Sequence, residues 1–149
     1  MPNWCNGALK VRGEKEDVLR FLKEGLKPVG YLGETKQPEI EEDECSITIK
    51  SDLHALHING TRRCFVERTV IEWWYDQILV LDVECAWAVD VEGLAKVSEK
   101  YNLDFKIYAF EKGMEFNQDI EIHRGKVIKD DEIQFHDYEW ECIDPRIGG

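Results

Sequence analysis

The chain has 149 residues, with 31 acidic and 19 basic side chains and a formal net charge of −12 at pH 7. This length suits one domain that buries its own core, and the charge opposes binding to phosphate backbones and anionic membranes. No apolar run approaches the roughly 20 residues of a membrane-spanning helix. We therefore expect a single domain over residues 1–149 that binds neither nucleic acid nor membrane.

The first segment predicts a strand, a helix and a long connection. Residues 6–12 alternate in polarity, and Gly13 ends the strand. Acidic residues at 14–17 then favour the start of a helix, whose apolar residues repeat at helical spacing as far as Leu26. Prolines, glycines and an acidic run over 27–44 predict an irregular acidic loop, with a partner-binding segment as the alternative to a solvated one.

The middle of the chain predicts strands. Residues 45–50 alternate with period two, and Asn59-Gly60 is a strong hairpin signal. The β-branched and aromatic content of 69–75 favours a strand that turns at 76–77, although a short helix over 67–75 is left open.

The C-terminal part predicts one more helix and further strands. Asp90 is the predicted N-cap of this helix, and Asn102 is its predicted stop. Strands are expected over 103–110, 114–123 and, as an edge strand, 134–143, with a frayed end at Pro145 and Gly148-Gly149. This order of elements predicts an α+β fold, most simply a ferredoxin-like antiparallel sheet with two helices on one face and extra β-hairpins.

Three short motifs carry a family resemblance. Met1-Pro2-Asn3-Trp4-Cys5-Asn6 opens the chain, Ala86-Trp87 precedes the second predicted helix, and Phe110-Glu111-Lys112-Gly113-Met114-Glu115-Phe116 forms a predicted hairpin. Together they resemble the YubB-type ferredoxin-like family of uncharacterised phage, plasmid and bacterial proteins. The resemblance implies a ferredoxin-like fold and a mobile-element origin, and it implies no activity. Where the family usually has Ser-Pro-Pro and a second glycine, this chain has Ala88-Val89-Asp90 and Glu115.

The motif residues are our candidate site, with either a structural or a functional role. We expect the asparagines to bond the backbone at a strand entrance, Gly113 to supply a positive φ, and Met114 and Phe116 to share one strand face. The opening lacks the long apolar run of a secretory leader, so we expect a cytoplasmic protein. The candidate residues are Asn3, Trp4, Cys5, Asn6, Trp87, Gly113, Met114 and Phe116.

Residues that could carry other chemistry are scattered. Five cysteines without a CxxC pair indicate reduced, mostly buried thiols rather than disulfides. A metal site at His54 and His57, an activated Cys5 nucleophile, and paired carboxylates at Asp82 and Glu84 are weaker alternatives to structural roles. We therefore assign no catalytic residue, no metal ligand and no cofactor.

The function that follows is protein binding. Residues 76–149 carry 18 acidic and 8 basic side chains, which favours a basic host protein as partner and suggests a nucleic-acid mimic. If their rings are exposed, the expected contact surface includes five aromatic residues, Trp73, Trp74, Tyr75, Tyr138 and Trp140. The alternative is a small-molecule or enzymatic domain with a cleft near Trp4, Trp87 and Gly113. RNA binding on an open sheet face is disfavoured by charge, and a dimer through exposed strand edges is left open.

Overall fold

The computed structural model describes residues 1–143 of the chain, which form eleven strands and three helices. In chain order these are β1 (Trp4–Arg12), α1 (Lys15–Glu24), β2 (Leu26–Val29), β3 (Glu39–Glu42), β4 (Ser46–Lys50), β5 (Ala55–Ile58), β6 (Cys64–Val66), β7 (Val70–Trp74), β8 (Leu79–Ala86), α2 (Val91–Tyr101), β9 (Asp104–Glu111), β10 (Phe116–His123), β11 (Lys126–Gln134) and α3 (Tyr138–Glu141). The predicted mixed α+β class is confirmed. The predicted fraying of Pro145 and Gly148-Gly149 lies outside the described residues.

Within residues 1–143, eight strands form one sheet in the order β11-β10-β9-β1-β8-β6-β5-β2. Every neighbouring pair is antiparallel. Strand β1 is paired on both sides: Trp4 lies opposite Ala86 of β8, and Asn6 lies opposite Phe110 of β9. Helix α2 connects β8 to β9, which are separated by β1. The motif that opens the chain is therefore held inside the sheet rather than at its edge.

The hydrophobic core lies on one face of this sheet. Alternate residues of β1, including Leu9 and Val11, are buried because successive side chains of a strand point to opposite faces. Phe21 of α1 is fully buried, and its ring lies 5.6 Å from Tyr101 of α2 and 5.7 Å from Phe105 of β9. This aromatic cluster joins both long helices to the sheet.

Helix α2 begins and ends where the sequence predicts, whereas α1 begins as predicted but ends at Glu24, so that Leu26 lies in β2. Acidic residues occupy the first turn of α1, and the Asp90 carboxylate caps α2 by accepting a hydrogen bond from the Gly93 N–H at 3.1 Å. Asn102 ends α2 in the left-handed conformation, with φ of 56°. Among the described residues, no helix is both long and apolar enough to cross a membrane.

A second sheet of the described residues has the order β3-β4-β7 and shares the core. Lys23 of α1 pairs with Glu42 of β3 at 2.7 Å. The segment over 69–75 forms a strand, as its composition favours, and the alternative helix over 67–75 is not formed. The chain does turn after β7, but β7 and β8 belong to different sheets. Trp73 is 6% exposed because it packs inward, so its predicted place on an exposed aromatic surface is wrong.

The connection and the C-terminal edge also differ from expectation. The segment over 27–44, predicted as an irregular acidic loop, contains most of β2 and all of β3. The edge strand of the large sheet is β11, which ends at Gln134, whereas the segment predicted as an edge strand contains α3. Here Asp137 caps a short helical turn, and its carboxylate accepts a hydrogen bond from the Trp140 N–H at 3.3 Å.

Replacing Phe21 by alanine should lower the free energy of unfolding by about 3–5 kcal/mol, because the cavity lies where α1, α2 and β9 meet. Urea unfolding followed by circular dichroism measures this loss. Tyr31, which is 84% exposed, gives the matched control, and Tyr31→Ala should change stability by less than about 0.5 kcal/mol. Equal effects of the two variants would contradict this account of the core.

Candidate functional site

Asn3 brings the three sequence motifs together at one end of the large sheet. Its backbone oxygen accepts a hydrogen bond from the Trp87 N–H at 2.8 Å. Its side chain lies against the hairpin, since a Cβ placed on Gly113 would come within 2.3 Å of Asn3 Nδ2. We call this region, residues 2–6, 86–88 and 110–116, the motif end.

Trp87 occupies a tight turn between β8 and α2. The Ala88 N–H donates to the Ala86 oxygen at 2.9 Å, and Trp87 has φ of 71°. This bonding pattern and φ define a γ-turn of the strained, positive-φ type, which is rare for residues other than glycine. The Trp87 side chain is nevertheless 55% exposed. A large apolar side chain is thus held in solvent on a strained backbone.

The hairpin between β9 and β10 is organised by Glu111. This residue is 1% exposed, and its two carboxylate oxygens accept hydrogen bonds from the N–H groups of Gly113 at 2.6 Å and Met114 at 2.8 Å. A buried carboxylate needs such donors because its desolvation is otherwise costly. Glu111 is therefore a structural support of the turn, a role that sequence reasoning missed.

The expected roles of Gly113, Met114 and Phe116 require correction. The left-handed residue of the turn is Glu115, with φ of 61°, whereas Gly113 is needed because Asn3 packs closely against it. Glu115 stands where the resembled family usually has glycine, which tolerates this φ without strain. Met114 lies in the turn, 71% exposed, and Phe116 begins β10, half-buried, so the two do not share a strand face.

Trp4 and Asn6 lie half-buried on β1, on the sheet face opposite the main core. The Trp4 ring meets Phe65 edge-on at 6.1 Å, with the Arg63 guanidinium 5.6 Å from its centroid. Asn6 Nδ2 donates to the Trp4 oxygen at 3.2 Å, as expected for a backbone-bonding asparagine. A shallow concavity of about 290 Å³ adjoins these residues. Its lining is Pro2, Asn3, Trp4, Asn6, Phe110, Glu111, Lys112 and Gly113.

Cys5 points to the core side of β1 and is fully buried. Its thiol donates to Gln118 Oε1 at 3.6 Å, and the same oxygen accepts the Val89 N–H at 2.9 Å. Burial raises the pKa of the Cys5 thiol to about 12, so this thiol is protonated at neutral pH and is a poor nucleophile.

Helix α3 packs beside the motif end on the same sheet face as Trp4. The Tyr138 hydroxyl donates to Asn117 Oδ1 at 2.8 Å, and Asn117 Nδ2 donates to the Tyr108 hydroxyl at 3.1 Å. Tyr138 is 6% exposed, so its predicted place on an exposed surface is wrong, while Trp140 on the same helix is 88% exposed. Burial raises the pKa of Tyr138, which keeps this hydroxyl a donor.

Two carboxyl groups lie close together near β1, on the sheet face that carries Trp4 and Asn6. Glu84 lies opposite Asn6 on one side and Phe65 on the other, and it interacts with Glu67 just beyond β6. Burial, together with the hydrogen bond to Glu67 and its charge, raises the pKa of Glu84 to about 7. The pairing suggested by spacing, Asp82 with Glu84, is not formed, because Arg68 Nε donates to the Asp82 carboxylate at 2.8 Å.

The histidines considered for a metal site lie apart. The ring of His54 stacks on Tyr31 at 4.5 Å, and that of His57 packs against Phe65 at 5.3 Å. Within residues 1–143, no three or more histidine, cysteine or carboxylate side chains are grouped so as to hold a metal ion.

Comparison with known proteins gives no relative for this arrangement. No family model, no curated protein and no solved structure matches the chain. The arrangement of the motif end is therefore interpreted from its own geometry.

Replacing Glu111 by glutamine should lower the free energy of unfolding by about 1–3 kcal/mol. The amide keeps one acceptor oxygen and has an NH2 group in place of the other, so that one of the two backbone N–H groups loses its acceptor. Thermal and urea unfolding measure the loss. Glu115→Gln is the matched control in the same turn, where the side chain is exposed and little change is expected. A loss for Glu115→Gln as large as for Glu111→Gln would contradict the role of Glu111.

Replacing Glu84 by glutamine should stabilise the protein relative to the wild type at pH 8, and this gain should be smaller at pH 5. The folded-state pKa of about 7 lies above the ordinary 4.5, so the folded state keeps a proton that the unfolded state loses. The stabilisation due to this proton is complete below pH 4.5 and is lost as the pH rises through 7. With partial exposure, we expect a difference of about 1 kcal/mol between the two pH values.

Urea unfolding of the wild type, Glu84→Gln and an exposed control, Glu44→Gln, across pH 5 to 8 measures this effect. The wild type and Glu44→Gln should lose stability in parallel as the pH rises, while Glu84→Gln loses less. Parallel curves for all three proteins would show that Glu84 does not carry a raised pKa.

Proposed function

We propose that this chain is a non-enzymatic binding protein that docks a basic partner protein on the motif end and the adjoining helix α3. The observation that carries the proposal is the exposed Trp87 on its strained γ-turn. Backbone strain of this kind costs on the order of 1–3 kcal/mol and persists where a function requires it. The strained turn brings little burial of the side chain, since more than half of Trp87 is exposed to solvent.

The neighbouring side chains have the character of a binding surface. Met114 is 71% exposed and Trp140 is 88% exposed, and tryptophan and methionine are enriched at protein interfaces. Glu115 follows Met114 and Glu139 precedes Trp140 in the chain, and these two carboxylates line, together with Lys112, a concavity of about 260 Å³ between the hairpin and α3. Exposed carboxylates around apolar anchors favour a partner with basic side chains around an apolar contact.

Of the three residues that support this surface, Glu111 and Asn117 are buried and hydrogen-bonded, and Asn3 is half-buried. Glu111 holds the hairpin, Asn3 holds the γ-turn, and Asn117 holds α3 through Tyr138. Such preorganisation reduces the conformational entropy that binding would cost. The acidic half of the chain, 18 acidic against 8 basic residues over 76–149, extends the attraction beyond direct contact and supports the nucleic-acid-mimic form of the proposal.

The ferredoxin-like plan belongs to the same proposal. Helix α2 connects β8 to β9 with β1 between them, as in a split β-α-β unit, whereas α1 leads from β1 to β2 at the far edge of the sheet. The contacts of Phe21 with Tyr101 and Phe105 favour both helices on one face. Membership of the YubB-type family, a mobile-element or host accessory role and a cytoplasmic location are proposed alongside it. The meeting of the resembling motifs at Asn3 supports the family membership.

A second candidate is small-molecule binding in the 290 Å³ concavity. It is favoured by the amides of Asn3 and Asn6 beside the Trp4 ring, which provide polar groups next to an aromatic surface. Trp87 is not part of its lining. Soaking crystals with a fragment library tests this candidate, and density in the concavity together with an affinity lowered by Trp4→Ala would support it.

Trp87→Gly should abolish partner binding while keeping or raising stability, because glycine adopts φ of 71° without strain. The immobilised protein is exposed to bacterial lysate at about 50 mM and about 300 mM salt, and captured proteins are quantified by mass spectrometry. A basic protein retained at low salt and released at higher salt is expected for the wild type. Urea unfolding of each variant provides the stability readout.

Trp74→Ala is the matched control, since Trp74 is 45% exposed on the second sheet. It should capture the same protein as the wild type. Loss of stability in Trp87→Gly would assign Trp87 a structural role. Equal capture by Trp87→Gly, Trp74→Ala and the wild type would contradict the proposed surface.

A further inference from the structure

Three cysteines form a row across adjacent strands of the large sheet. Cys5 of β1 lies directly opposite Cys85 of β8, and Cys85 lies directly opposite Cys64 of β6. Directly opposite residues share a sheet face, and all three side chains are at most 1% exposed. All three are free thiols in this structure. Cys85 is thus placed next to two alternative partners.

The Cys5–Cys85 pair differs from the Cys64–Cys85 pair in the direction of the Cys5 hydrogen bond. The Cys5 thiol donates to Gln118 of β10, which lies on the side of β1 away from β8. Cys64 and Cys85 instead lie directly opposite each other on β6 and β8, and the neighbouring Cys85 thiol lowers the pKa of Cys64.

We propose that Cys64 and Cys85 are an oxidation site, in which a peroxide converts the two thiols into a cross-strand disulfide between β6 and β8. Opposed residues of an antiparallel pair have Cα atoms about 4.5–5.5 Å apart. This lies within the separation of about 4.4–6.8 Å that a disulfide accepts. The disulfide therefore requires side-chain rotation and no change of strand register.

The chemistry needs one molecule of hydrogen peroxide, which is small enough to enter on local opening of the short strand β6. The Cys64 thiolate attacks one peroxide oxygen, so that the S–O bond forms, the O–O bond breaks, and hydroxide takes up the thiol proton as water. The Cys85 sulfur then attacks the Cys64 sulfenic sulfur, forming S–S and displacing the sulfenic oxygen as a second water. The two thiols lose two electrons, which reduce the peroxide.

The test exposes the folded wild-type protein to a small excess of hydrogen peroxide and maps its peptides by mass spectrometry without reduction. We expect loss of two hydrogen atoms, a Cys64–Cys85 linked peptide, and reversal by dithiothreitol. The oxidised protein should also unfold at a higher urea concentration, because the cross-link restricts the unfolded chain. This measurement needs no variant, so a misfolded mutant cannot obscure it.

Three variants sharpen the result. Cys5→Ser should still form the cross-link, and so should Cys45→Ser, which removes the exposed thiol. Cys85→Ala should instead leave a sulfenic acid on Cys64 that dimedone traps. A peptide linked through Cys5, a disulfide between molecules, or an unmodified Cys64 in the folded wild type would each overturn the proposal.

Discussion

The two-sided pairing of β1 is the constraint on which the rest of the molecule depends. Leu9 and Val11 lie on one face of this strand and are buried in the core, whereas Trp4 and Asn6 lie on the other face and are partly exposed to solvent. A slip by one residue would exchange these faces and expose the core residues. The same register places the Asn3 oxygen opposite the Trp87 N–H. Core burial thus also determines where the motif end forms.

Local sequence signals predicted the elements well, and long-range pairing escaped them. Asp90 and Asn102 mark the ends of α2 because caps are local hydrogen-bonding devices. No local signal reveals that β7 pairs with β4 instead of β8, since any strand with alternating polarity suits either sheet. The motif residues were identified from sequence, and the alternative of a cleft near Trp4, Trp87 and Gly113 placed them together, but the contacts of Asn3 that join them were not predicted. The Glu84–Glu67 pair was missed for the same reason, because Glu84 lies on β8 whereas Glu67 lies just beyond β6.

The acidic composition bears on how the sheet edges behave. Strand β11 forms one edge of the large sheet and carries Asp130, Asp131 and Glu132, while β2 forms the other and contains Pro28. Pairing two β11 edges would bring like charges together, and proline removes a donor from the β2 edge. Both features oppose self-association through edges.

Four residues other than glycine adopt positive φ within residues 1–143, and their distribution bears on the motif end. Asn102 ends a helix, and Arg124 lies with Gly125 in the tight turn after β10, so local geometry explains both. The other two, Trp87 and Glu115, both belong to the motif end and are exposed. Glycine would adopt either conformation at lower energetic cost. A chain that keeps an exposed tryptophan and an exposed carboxylate there retains side chains that folding does not require, which is the expected signature of a surface used for recognition.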